Sequence, residues 1–108
     1  MQGLIIGYLS YGAAALSYFA AMEIAGEHLD AFSMHYYTLP TGDWSAKGPA
    51  TGFDEAQWLA TFERTYMIEP MIREQSAIMD EFDPEAEKAL VIGEWGTWYD
   101  PTPGSPGG

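Results

Sequence analysis

The fold is decided by Ala89-Leu90-Val91-Ile92-Gly93-Glu94-Trp95-Gly96-Thr97-Trp98-Tyr99-Asp100. Ala89 to Ile92 is a short apolar run, which predicts a strand buried on both faces, and the chain then changes abruptly to a carboxylate, rings and glycines. Such a strand finishes by presenting Glu94. In parallel α/β folds ligands bind where strands end, so a carboxylate there, flanked by rings, reads as the floor of a sugar-sized pocket. The competing reading is a surface Glu beside core tryptophans.

Working outward, Glu85, Glu87 and Lys88 form a solvated turn into this strand. A helical stretch over 54–82 precedes it. Asp54 fits an N-cap with Gln57 three residues on, and Glu55 adds negative charge to the first turn. Trp58, Phe62, Tyr66 and Met67 recur at helical spacing and predict core packing. Pro70 should kink or split the helix, after which Met71, Ile72, Ile78 and Met79 continue a buried stripe up to Asp83-Pro84. Before the helix, Thr38 to Gly52 is a loop rich in Pro and Gly. Asp43 and Trp44 stand at its tip, where Trp44 either anchors the loop or reaches a ligand.

Leu29 to Tyr37 reads as another strand, ending on His35-Tyr36-Tyr37, with Tyr36 on the face opposite His35 and Tyr37. The first strand spans about 4–9. A helix over about 13–25 follows, with Gly26 as its C-terminal cap and a surface so apolar that neighbours should cover it. Residues 100–108 are rich in Pro and Gly and form an irregular tail. The order β-α-β-α-β, with right-handed crossovers, predicts an α/β fold with parallel strands in one partial domain over 1–108.

Sixteen acidic residues against four basic ones give a net charge of −12, which argues against nucleic acid or an anionic membrane surface as partner. A neutral sugar chain fits this charge better. No cysteine occurs, so there is no disulfide framework or thiolate metal site, and His28 and His35 do not make a zinc site. Leu4 to Met22 is apolar enough to raise a signal peptide or a membrane span. However, Met1-Gln2-Gly3 lacks the basic start of a signal, and Gly7, Ser10, Gly12 and Ser17 interrupt the run.

Three stretches together carry a resemblance to a known family. Glu94-Trp95-Gly96-Thr97-Trp98-Tyr99, the earlier Phe32-Ser33-Met34-His35-Tyr36-Tyr37-Thr38 and the intervening Ala50 to Trp58 are similar, in order and spacing, to glycoside hydrolase family 51, the retaining α-L-arabinofuranosidases. The resemblance runs from about Leu29 to Pro106. It implies part of a TIM (β/α)8 barrel, strands five to seven of eight, since 108 residues are less than half of the ~250 a whole barrel takes.

The resemblance makes Glu94 the nucleophile, His35 and Tyr37 the pair that orients it and contacts the sugar, and Trp98 a ring bordering the subsite. It implies arabinose-containing oligo- or polysaccharide as partner, no cofactor and no metal. A cytoplasmic location is implied, and self-association that covers open sheet edges is left open. Two departures stand out. Gly93 replaces an aspartate common in the family, and the acid/base glutamate of an Asn-Glu motif is absent, because the chain contains no Asn. The alternatives are an inactive remnant, a carbohydrate-binding module using Trp44, Trp95, Trp98 and the tyrosines as a platform, or a membrane-associated protein built on the first 25 residues.

Overall fold

The computed structural model describes the backbone of Ile6 to Leu9 and residues 14 to 103, with side chains from Phe19 onward. The strands and helices read from the sequence are present in the expected order: β1 (Ile6–Leu9), α1 (Ala14–Ala25), a 3-10 turn (Gly26–His28), β2 (Ala31–Thr38), α2 (Glu55–Thr65), α3 (Ile68–Phe82) and β3 (Ala89–Thr97). Residues 4 and 5 of the expected first strand, residue 13 of the expected first helix and the last five of the tail lie outside the described residues.

The architecture is α/β. The strands form one sheet in the order β1-β2-β3, and β1 pairs with β2 in parallel, Ile6 opposite Ala31 and Leu9 opposite Met34. At the start of β3 the Ala89 N–H donates to Asp30 O (3.2 Å), and just past its end the Trp98 N–H donates to Thr38 O (3.1 Å). Starts pair with starts and ends with ends, so β3 runs in the same direction as β2.

The chain divides into two compact units, Met1–Tyr36 with Glu69–Glu94, and Tyr37–Ile68 with Trp95–Gly108. The core of the first unit consists of Met22, Phe32, Met34 and Met79, with Leu29, Met71, Ile72, Ile78, Leu90 and Ile92 packed against it. The α3 stripe read from the sequence is therefore the one that closes this core. Four successive residues of β2, Ala31 to Met34, are buried, whereas β3 alternates between exposed and half-buried positions. The strand buried on both faces is β2, not β3, because β2 lies between two neighbours and β3 has one. Nor does β3 stop at Glu94. It continues to Thr97, so Glu94 is an interior strand residue.

Three further expectations change. Gly26 is not a left-handed cap: it opens the 3-10 turn, where its carbonyl accepts from Leu29 N–H at 3.2 Å. The long helix does split, but at Tyr66-Met67, where the Met67 N–H donates to Arg64 O at 3.1 Å. Pro70 then sits in the first turn of α3, where a missing N–H costs no intrahelical bond. Finally, Trp58, Phe62, Tyr66 and Met67 are exposed, with Tyr66 at 73%. Their common spacing gives a shared helix face that is not buried, and the buried residue of α2 is Thr61. Trp95 is 73% exposed.

At the start of α2 the capping box forms as read. Asp54 accepts from Gln57 N–H at 2.8 Å, and the Gln57 side chain accepts from Asp54 N–H at 2.9 Å. Two of the four donors orphaned at a helix start are thereby satisfied. Among the described residues no helix is long and apolar enough to cross a membrane.

Candidate active site

The first unit brings two of the four expected site residues together. His35 is on β2 and Glu94 on β3, and His35 Nδ1 lies 3.1 Å from Glu94 Oε2. The His35 side chain is 16% exposed and that of Glu94 53%, so the imidazole is held by its surroundings while the carboxylate faces solvent. A ring N–H at that distance donates a hydrogen bond to the carboxylate and fixes one of its two oxygens. Neighbouring parallel strands make this contact available, because their side chains project side by side at matching heights.

Gly93 is where the strands crowd. A Cβ added there would stand 2.4 Å from Ser33 Oγ, 3.0 Å from His35 Nε2 and 3.3 Å from His35 Cδ2. No residue larger than glycine fits without moving Ser33, which is buried, or the imidazole.

The second unit brings the other two together. Tyr37 and Trp98 meet edge to face, with centroids 4.8 Å apart and planes at 66°. Trp44 packs on Trp98 in the same way at 5.3 Å and 79°, which fits the anchoring role, although its own surface is 48% exposed. Edge-to-face contact places the positive rim of one ring on the negative face of the other. Lys47, which the sequence reading did not single out, lies 5.7 Å from the Trp44 ring centroid and 5.8 Å from that of Trp98, and its Nζ donates to Trp44 O at 2.9 Å. It lies in the loop after β2, with no periodic pattern to single it out in the sequence. Tyr36 is buried whereas His35 and Tyr37 are half-buried, which agrees with strand alternation.

The loop that carries Trp44 is tied at three points within this unit. Asp43 Oδ1 accepts from the Ser45 hydroxyl and Ser45 N–H, both at 2.7 Å, and these bonds, the hydroxyl first, hold its carboxyl below the usual range. Arg64 Nη1 donates to Pro40 O at 2.6 Å. Asp100 and Gly48 bond reciprocally: Gly48 N–H donates to Asp100 Oδ2 at 3.0 Å and Asp100 N–H donates to Gly48 O at 2.8 Å. Gly48 has φ of 100°, a conformation open to glycine at little cost. The tail at Asp100 is thus irregular yet fixed. A separate open pocket is lined by Pro40, Phe53, Gln57, Trp58, Thr61 and Tyr99 among others. The pocket floor expected at Glu94 is not part of it.

No family model matches the chain. Over 84 residues, 78% of the chain, it is 37% identical to the intracellular exo-α-L-arabinofuranosidase of Bacteroides ovatus, of which it covers 16%. The crystal structure of the GH51 arabinofuranosidase from Xanthomonas axonopodis pv. citri matches 94% of the chain at 42% identity with a TM-score of 0.86. The chain is related to the GH51 arabinofuranosidases. It spans 20% of that crystallised arabinofuranosidase and 16% of the Bacteroides relative.

Proposed function

We propose that this chain is the nucleophile-bearing segment of a retaining α-L-arabinofuranosidase, one part of a (β/α)8 barrel that removes terminal arabinofuranosyl groups from hemicellulose or arabinan oligosaccharides. The observation that carries this reading is the 3.1 Å contact of His35 Nδ1 with Glu94 Oε2, in a chain related to enzymes of that activity. Glu94 is the nucleophile. One of its oxygens attacks the anomeric carbon as the bond to the leaving oxygen breaks, and the electron pair departs with the leaving group.

His35 is the residue that orients Glu94, donating to one oxygen and leaving the other for attack. Tyr37 and Trp98 border the subsite for the arabinosyl ring, Trp98 through its flat face and its indole N–H. A retaining glycosidase also needs an acid/base carboxyl about 5–5.5 Å from the nucleophile. The residue of the Asn-Glu motif is not among these 108 residues, so a further barrel segment supplies it. Without it, poor leaving groups depart ~10²–10⁴ more slowly. The intracellular relative supports a cytoplasmic location.

The test is incubation with an arabinofuranoside carrying a highly activated aryl leaving group, which departs without an acid, followed by intact mass measurement. A pentosyl adduct on the wild-type chain and none on Glu94→Ala is the expected result. No adduct in a chain shown to be folded by circular dichroism would overturn the reading.

The exposed stack of Phe53 on Trp58 (5.9 Å, 11°), with Phe62 edge-on to Trp58, favours a second reading as a carbohydrate-binding surface. Oligosaccharide binding that survives Glu94→Ala and is lost in Trp58→Ala would favour it.

A further inference from the structure

We propose that Gly93 is a positioning residue: its missing side chain is the seat of the His35 imidazole, and this seat holds Nδ1 against Glu94. The inference deepens the assignment of Glu94 as nucleophile and rests on it only for its kinetic consequence. The imidazole is wedged between two neighbours on β3. Its Nε2 and Cδ2 edge lies 3.0 and 3.3 Å from the point where a Cβ on Gly93 would stand. The opposite side of the ring, Nδ1, meets Glu94 Oε2 at 3.1 Å. Consecutive residues of one strand therefore grip one ring, Gly93 by leaving space and Glu94 by accepting a hydrogen bond.

A Cβ at Gly93 has two effects of different severity. Against Ser33 Oγ, at 2.4 Å, it cannot stay, and something must move. Against the ring, at 3.0 to 3.3 Å, it requires a shift of a few tenths of an ångström. That shift either compresses the Nδ1 to Oε2 contact or swings the ring out of line with it. Both outcomes release the carboxylate to other rotamers, since Glu94 is half exposed and solvent competes for it. Misplacing a reacting group by about 1 Å can cost ~10²-fold in rate, so a shift of a few tenths should cost about tenfold.

The two effects separate by mutation. Ser33→Ala removes the severe contact, so in the double variant Ser33→Ala/Gly93→Ala the nearest remaining atoms are those of the imidazole, and the fold should be kept. The readout is ring-nitrogen NMR of His35 in the full 108-residue chain, identified against His28→Gln, with and without Glu94→Gln. In the wild type and in Ser33→Ala, Glu94→Gln should move the His35 ring resonances. In Ser33→Ala/Gly93→Ala that response should be lost, and adduct formation with the activated aryl arabinofuranoside should slow about tenfold relative to Ser33→Ala. A merely structural glycine would leave the response intact in any variant that folds.

Full response and undiminished rate in the double variant would overturn the proposal, as would loss of its fold, which would mean that the imidazole is not the remaining neighbour. Absence of the response in the wild type would overturn it as well. A response lost on cue in a chain that never forms an adduct would support the positioning role of Gly93 while defeating the assignment of Glu94 as nucleophile.

Discussion

Truncating Phe32 to Ala should be the most damaging single change in the chain, and truncating Trp95 one of the mildest, although the sequence places both in apolar strand stretches. Phe32 is 2% exposed and lies in the core with Met22, Met34 and Met79. Removing its ring forfeits the transfer free energy of the ring and leaves a cavity that the flexible methionine side chains fill only in part, a loss of about 3–5 kcal/mol. Domains of this size hold about 5–15 kcal/mol in all. Trp95, at 73% exposure, keeps most of its surface in water in the native state and should change stability by no more than about 0.5 kcal/mol. Urea unfolding followed by far-UV circular dichroism reads both, as a shift of midpoint at constant slope. A loss below about 1 kcal/mol for Phe32→Ala, or an equal loss for Trp95→Ala, would refute this reading of the core.

The remaining expectations concern the turns that position the site. Asp54→Ala removes one half of the capping box and should cost about 1 kcal/mol, measured by the same unfolding experiment. Asp83 is buried and its carboxylate accepts from Lys88 N–H at 2.7 Å, so Asp83→Ala should cost about 1–3 kcal/mol while Asp83→Asn, which retains an acceptor, recovers much of it. Asp100→Ala breaks one side of the reciprocal pair with Gly48, and limited proteolysis should then cut the loop between Thr41 and Gly52 faster than in the wild type.

Local chemistry was legible in the sequence wherever two nearby residues decide it. Asp54 and Gln57 state their capping box outright, whereas the pairing of His35 with Glu94 was implied by the family resemblance and by no local pattern. Spacing was also enough to put Met71, Ile72, Ile78 and Met79 on the face that packs on the core. What spacing does not say is what lies against a face. Trp58, Phe62 and Tyr66 share a side of the helix, as their recurrence implies, yet that side is exposed. The apolar run of β3 was misread for the same reason, because burial on both faces depends on the order of strands in the sheet, and β3 lies at an edge. Pro70 signalled a break without its direction: the same residue that would kink a helix interior is accommodated in the first turn of a new helix.

Gly93 gives the sharpest case. As a sequence feature it is a departure from the family pattern, a glycine in place of a common aspartate beside Glu94. In three dimensions it is where a buried serine and an imidazole come within 3.0 Å of the space a side chain would take, so the residue that looked like a loss holds the ring that meets the carboxylate. Contacts between residues about sixty positions apart in the chain are invisible to any local pattern.

The central claim, that Glu94 is the group that bonds to the sugar, is tested most directly by finding where the pentosyl label goes. The chain is incubated with the activated aryl arabinofuranoside, digested at low pH to preserve the ester, and sequenced by tandem mass spectrometry. The account predicts the label on Glu94 of the peptide containing Gly93-Glu94-Trp95, and on no other carboxylate. Label on Asp43, Asp100 or any other acidic residue, with Glu94 unmodified, would contradict it.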